Sequence, residues 1–243
     1  MSRTRWIAWI FLRNSWFRFW ADARQLPNKV WKRWAKILGI GFVVTTVVAF
    51  AVTFWAKSAV NTGNLQAWDE RMLMVISEKV PLSFARSVTW ESPGNLVYML
   101  PLMAAVVLTA VWRSHPVIAA TVLSAYILQF AFAWTGWLYW NRRRPDLIAG
   151  GLAAPNLHSY PSGHTLIVTS VYGFLFYLWF RSARGGLERS VAAIAGLFWV
   201  GMVGIARLIL GAHWPSDIIA GLAIGACWLI TVIVAFDRAY RAL

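Results

Sequence analysis

Long apolar blocks alternate along the chain with short polar ones. Residues 37–55, 96–112, 117–137, 165–180, 191–206 and 218–236 hold no charged side chain. A bilayer's hydrocarbon core is crossed by about 20 helical residues, so each block, extended a little at its ends, predicts a transmembrane helix. Pro101 falls inside the second block, where neighbouring helices can tolerate a kink. Arg113-Ser114-His115-Pro116 reads as a tight turn into the third. Two stretches break the pattern. Residues 56–95 are mixed, with Lys57, Arg71, Lys79 and Arg86 balancing Asp69, Glu70, Glu78 and Glu91. Within them Trp68, Met72, Leu73, Val75, Ile76 and Val80 predict a short helix over 68–80 on the membrane surface. Residues 1–36 are basic and aromatic, with Trp6, Trp9, Ile10, Phe17 and Trp20 at helical spacing, as in an amphipathic helix lying among headgroups. The run 6–12 followed by Ala21-Asp22-Ala23 imitates a secretory signal, but Arg13 and Arg18 interrupt it. No internal repeat is visible. The expected architecture is all-α: an interfacial segment, 1–36, and a bundle of six transmembrane helices, 37–243.

Composition supports this class. The chain is 59% hydrophobic and 13% charged, where a soluble domain carries about 25% charge. A formal net charge of +14 raises the possibility of nucleic acid. The placement of that charge, at one end and in short loops, argues against such a partner and for membrane lipid. Cys227 is the single cysteine and can form no intramolecular disulfide.

Lys and Arg counts orient the bundle. With both termini cytoplasmic, that side receives Arg3, Arg5, Arg13, Arg18, Arg24, Lys29, Lys32, Arg33 and Lys36. It also receives Arg113, Arg181, Arg184, Arg189, Arg238 and Arg241. Arg142, Arg143, Arg144 and Arg207 fall on the opposite side, against the bias, and a function would explain them.

Those arginines share their side with Asn156-Leu157-His158-Ser159-Tyr160-Pro161-Ser162-Gly163-His164-Thr165 and with His213 and Asp217. The Pro-Ser-Gly-His turn delivers backbone N–H groups to the start of a helix, where unpaired amides and the helix dipole favour an anion. Arginines, an amide cradle and two histidines make a phosphate site.

These pieces resemble the type 2 phosphatidic acid phosphatase family of membrane lipid phosphatases. Its first motif is Lys, six residues, Arg-Pro; Arg144-Pro145 match it, and Trp137 stands where the Lys would be. Its second is Pro-Ser-Gly-His, matched by Pro161, Ser162, Gly163 and His164. Its third is Ser-Arg, five residues, His, three residues, Asp; Arg207, His213 and Asp217 match, and Ala206 replaces the Ser. The resemblance covers roughly residues 37–236 and implies a hydrolase that passes through a phosphohistidine and needs no cofactor or metal.

The residues support the same roles. Arg144 and Arg207 bind phosphoryl oxygens, and Ser162 and amides near Gly163 stabilise the charge that develops on them. His213 is the nucleophile, Asp217 orients it, and His164 protonates the leaving group and then activates water. Arg142, Arg143 and Trp137 are possible substrate contacts, although interfacial anchoring explains Arg142 equally well. His158 reads as a loop residue, and His115 lies on the wrong side. His213 and Asp217 could instead be a structural pair capping the last helix; a metal held by His164, His213 and Asp217 is disfavoured by the arginines nearby. The expected substrate is a lipid phosphate (phosphatidate, phosphatidylglycerol phosphate, isoprenyl pyrophosphate or lipid A phosphate) cleaved on the periplasmic side of a bacterial inner membrane. A phosphotransferase using the same site, or a transporter or scaffold with an altered one, are the alternatives.

Overall fold

Pro27 sets the first boundary: it follows helix α1 (Arg3–Gln25) and directly precedes α2 (Asn28–Asn61), as a residue lacking an amide hydrogen suits a helix start. The computed structural model describes residues 3–152 and 158–241. The side chains of Arg3, Arg5, Trp6, Trp9 and Ile10, like Asn156 and Leu157, lie outside what is described. The described residues form no strand. After α2 come α3 (Asn64–Lys79), α4 (Phe84–Glu91), α5 (Leu96–Trp112) and α6 (Pro116–Tyr139). Beyond the loop follow α7 (Gly163–Ser182), α8 (Gly186–Ile209) and α9 (Pro215–Tyr240).

Helices α2, α6, α7, α8 and α9 are each long and apolar enough to cross a bilayer. The second expected span, 96–112, is reached through a bend. α5 has 17 residues and meets α4 through a 3₁₀ turn, Ser92–Gly94, at an angle of 42°. Pro101 sits inside α5 without ending it. The surface helix expected over 68–80 is α3, which begins earlier, at Asn64. Helix α2 starts well ahead of its uncharged block and passes residue 36 unbroken. Val30, Trp31 and Trp34 therefore join the same core as Leu38.

α1 lies against the α5–α6 turn. Phe19 packs on Ala110, Val111 and Ala119, Arg18 donates to the Trp112 carbonyl at 2.6 Å, and Ser114 donates to the Asp22 carboxylate. Its other face leaves Trp16, Phe17 and Trp20 exposed, the polarity pattern of a helix that rests at an interface.

α9 occupies the centre and packs on α2, α6 and α7. Trp228, fully buried, stacks edge-on to Phe42 and Phe132 and donates its indole N–H to the Ala125 carbonyl at 3.0 Å. Higher up, a Cβ on Gly221 would stand 2.7 Å from the Ser162 carbonyl oxygen. Small residues let membrane helices approach backbone to backbone, and here the approach presses the start of α7 against the start of α9. Beyond its first turn α7 loosens into a π-turn, Val168–Tyr172.

Gly221→Ala should therefore cost about 1–3 kcal/mol by overpacking, seen as a lower melting temperature in detergent. Gly39→Ala, whose Cβ would meet nothing within 4 Å, should leave that temperature unchanged or raise it. Equal effects would mean that the α7–α9 contact has room to spare.

Candidate active site

Three local devices bring the candidate residues together. α8 ends in a left-handed turn at Gly211 (φ 63°), where Gly211 N–H bonds to the Leu208 carbonyl at 2.9 Å and Ala212 N–H to the Arg207 carbonyl at 3.1 Å. This is the Schellman closure, which favours glycine because no Cβ opposes positive φ. It leaves Arg207 in the last turn of α8 and His213 just past it. Pro215 then opens α9, and Asp217 in its first turn accepts the Trp214 N–H at 2.8 Å. The segment between α6 and α7 closes the ring: Ser159 N–H bonds to the Arg142 carbonyl (3.0 Å), Ser162 N–H to the Asp217 carbonyl (3.1 Å), and Trp214 Nε1–H to the Arg143 carbonyl (2.9 Å).

Trp137, Arg144, Gly163, His164 and His213 line one cavity of about 590 Å³. Its other walls, from α5, α6 and α7, are largely apolar. His213 donates from Nδ1 to the Ser159 carbonyl at 2.8 Å, which leaves Nε2 as the unprotonated, nucleophilic ring nitrogen. Burial pushes the imidazole down to about 3, so the ring is neutral at physiological pH. Asp217 stands 3.6 Å from Nδ1 and spends the same oxygen on Ser159 Oγ and the Trp214 amide. It reaches His213 mainly through Ser159, whose carbonyl holds Nδ1, and it also closes the first turn of α9, as the structural reading of this pair expects. Arg144 donates to the Ala212 carbonyl at 3.0 Å. Burial, and the nearby Arg207, bring it down to about 10, still charged at neutral pH.

The structure differs from the sequence reading at several residues. Arg142 is neither an interfacial anchor nor positioned as a substrate contact. It is buried, with Nη2 2.6 Å from Asp69 and Nη1 2.7 Å from both Asp217 and Ser216 Oγ. Asp69, fully buried on α3, also accepts the Ser216 N–H (2.8 Å) and Oγ–H (2.6 Å). Arg143 is exposed and is outside the cavity lining. Ser162 caps α7 and has its own N–H committed to Asp217. The amides of Gly163 and His164 are the first of the helix, with no preceding turn to accept them. Ser162 and Arg207 are buried and border the cavity without forming its lining; Arg207 shares the Glu91 carboxylate with His164, which does line it. Trp137 stacks on His158, ring centroids 6.0 Å apart, which brings His158 to the edge of the site. His115 precedes α6 at the end opposite Trp137.

Glu91 is the largest departure. The sequence sets it in a charge-balanced stretch, yet it lies buried at the end of α4 and pairs with Arg207 and, at 3.1 Å, with His164 Nε2. Asn95 Oδ1 contacts the same Nε2 at 2.9 Å. A Cβ on Gly94 would fall 2.5 Å from His164 Cδ2, so the α4–α5 elbow rests directly on the histidine. Among the described residues no group of three His, Cys, Asp or Glu is arranged to hold a metal.

Arg142→Ala should unfold or severely destabilise the protein, because it strands two buried carboxylates; losing one partner of a buried ion pair costs about 3–5 kcal/mol. Arg143→Ala should fall within about 0.5 kcal/mol of the parent. Similar melting temperatures for the two variants would contradict the buried clamp.

Residues 116–241 match the family model of the PAP2 superfamily. The chain is 41% identical over 80 residues to the lipid A 1-phosphatase of Rhizobium johnstonii, a match covering 33% of this chain and 29% of that one. It is 34% identical over 107 residues to phosphatidylglycerophosphatase B of Bacillus subtilis, covering 40% and 47%. The chain thus spans less than half the length of these curated relatives. In fold it is similar to the crystal structure of a transmembrane PAP2-type phosphatidylglycerolphosphate phosphatase from Bacillus subtilis. That match has a TM-score of 0.62 and 21% identity, over 80% of this chain and 96% of that one. It is also similar to LpxE of Aquifex aeolicus, with a TM-score of 0.51 and 19% identity, over 69% and 93%. The helices that suit a bilayer and these likenesses make it an integral membrane protein. With the family model matched over more than half its length and the Pro-Ser-Gly-His turn set against His213 and Arg207, the chain belongs to the PAP2 superfamily.

Proposed function

We propose that this protein is a membrane lipid phosphatase that works through a phosphohistidine on His213. One observation carries the reading: Nδ1 of His213 is fixed on the Ser159 carbonyl, so its free Nε2 belongs to a neutral imidazole in the cavity that Arg144 and His164 also line. A phosphate monoester is a dianion at neutral pH, and attack needs that charge neutralised. Arg144 and Arg207 supply the positive charge, and the first amides of α7 stabilise the oxygens as the phosphorus becomes trigonal bipyramidal. His213 Nε2 forms the P–N bond as the P–O bond to the lipid breaks, and His164 gives the departing alkoxide its proton. In the second step His164 takes a proton from water, whose oxygen attacks phosphorus; the P–N bond breaks and inorganic phosphate leaves.

The apolar cavity walls suit an amphiphile whose chain remains in lipid. The charge bias of the loops favours a site on the non-cytoplasmic face. The named relatives act on lipid A and on phosphatidylglycerol phosphate, so those two headgroups are the first substrates to compare, by release of inorganic phosphate in a detergent or nanodisc assay.

The two histidines should fail differently. His213→Ala should abolish phosphoryl transfer from every ester. His164→Ala should lose about 10²–10⁴-fold on a lipid ester, whose alkoxide needs a proton, and far less in the first step on an aryl phosphate with an acidic phenol. Rapid-quench measurement of phenol release and enzyme-bound phosphate distinguishes them. A residual burst in His213→Ala would remove it as nucleophile; equal first-step losses on both esters in His164→Ala would remove it as acid.

Trp137→Lys adds a cation to the cavity wall at the position of the family's Lys. Vanadate inhibition should become tighter in a variant that keeps its fold. Weaker inhibition would show that the indole itself holds substrate.

A further inference from the structure

Glu91 Oε2 is a single oxygen held by two donors: it pairs with Arg207 Nη1 and with His164 Nε2. Those are the two groups that the proposed mechanism needs at the phosphate. Arg207 neutralises the phosphoryl group, and His164 meets the oxygen that bridges to the lipid. A substrate engaging both must take over the two donors that Oε2 now holds. The carboxylate is buried, and a third side chain, Asn95 Nδ2, donates to its other oxygen at 3.3 Å. Glu91 therefore sits in a built anion position and not in a passing surface pair.

We infer that Glu91 is a specificity-determining residue: an internal competitor that occupies the oxygen position between Arg207 and His164 and that the substrate must displace. This rests on the phosphatase reading and adds to it a rule about which phosphates the site accepts. Free phosphate has only its charge with which to expel the carboxylate. A lipid ester has in addition the burial of its chain against Leu96, Val97, Phe130 and Ile167, which line the same cavity. The competition thus discriminates against soluble phosphates, and it expels product, because inorganic phosphate loses the apolar anchor once the lipid departs. Glu91 ends α4 one short turn before the 42° bend into α5, so the competing carboxylate belongs to the elbow that packs on His164.

The sign of the effect separates this role from a structural one. If Glu91 merely fastened Arg207, removing its charge would loosen the arginine and weaken anion binding. If it competes, the same change strengthens binding. The test uses the full-length protein in detergent, with orthovanadate and inorganic phosphate as probes, by calorimetry and by inhibition of aryl-phosphate hydrolysis. Glu91→Gln should bind both anions about tenfold or more tighter, the scale of removing one adjacent charge from a partly screened site. Its preference for lipid over aryl phosphate should shrink. Glu91→Asp keeps the charge on a stem one methylene shorter and should fall between, and it decides the matter if Glu91→Gln does not fold. Anion affinity that is unchanged or weaker in the folded variant overturns the inference. A parent protein that binds vanadate and hydrolyses esters would in that case leave the phosphatase reading standing; a parent that does neither overturns both.

Discussion

Arg142 is the constraint on which the candidate-site end of the bundle depends. A guanidinium buried between the carboxylates of Asp69 and Asp217 can exist there only because each charge has a partner and the remaining lone pairs are filled by Ser216, Ser159 and the Trp214 amide. The arrangement joins four parts of the chain: surface helix α3, the stretch after α6, the turn before α7 and the start of α9. Each hydrogen bond passes orientation along. Arg142 fixes Asp217, Asp217 takes the Ser159 hydroxyl, and the Ser159 carbonyl holds Nδ1 of His213. The rotamer of the proposed nucleophile is thus set by a charge cluster that does not line the cavity.

The packing of α7 on α9 completes that placement from the other side. The Gly221 contact presses the Ser162 carbonyl onto α9, while the Ser162 amide bonds to the Asp217 carbonyl. The N-terminus of one helix and the first turn of the next are held as one unit, with His164 and His213 projecting from adjacent points of it into the same cavity. Precision of this kind comes from backbone contacts, which have few conformations to choose among, more than from the longer side chains around them.

Much of this was legible in the sequence. Uncharged blocks about one bilayer thick mark the helices, and the spacing of Arg144, Pro161-Ser162-Gly163-His164, Arg207, His213 and Asp217 marks the site. What could not be read has physical reasons. Asp69 and Glu91 sit in a stretch where acids and bases balance, and such a stretch looks solvated until α3 and α4 are seen to fold over the site. Arg142, Arg143 and Arg144 are identical in type and consecutive, so no periodicity distinguishes the buried one from the exposed one; in extended chain neighbouring residues simply point opposite ways. Ser159 acts through a backbone carbonyl, a group every residue possesses. The span over 96–112 was legible as well, but an uncharged block records length and says nothing of the elbow where α4 meets it.

The charge balance of the site follows from these particulars. Around the cavity Arg144 and Arg207 are opposed by Glu91, and Trp137 stands where a further cation would be. Set against a dianionic ester, that falls short of neutralising it, because Glu91 already offsets one of the two arginines before substrate arrives. On the phosphatase reading, electrostatics here serves to aim the phosphoryl group at His213 more than to hold the substrate. Retention falls to the apolar walls of α5, α6 and α7, where burial of each 100 Å² of hydrocarbon is worth about 2.5 kcal/mol in water. The gain is smaller for a chain that would otherwise lie in the bilayer. Substrate therefore arrives with its tail already in lipid, and selection acts on how well the headgroup reaches the two arginines from that depth.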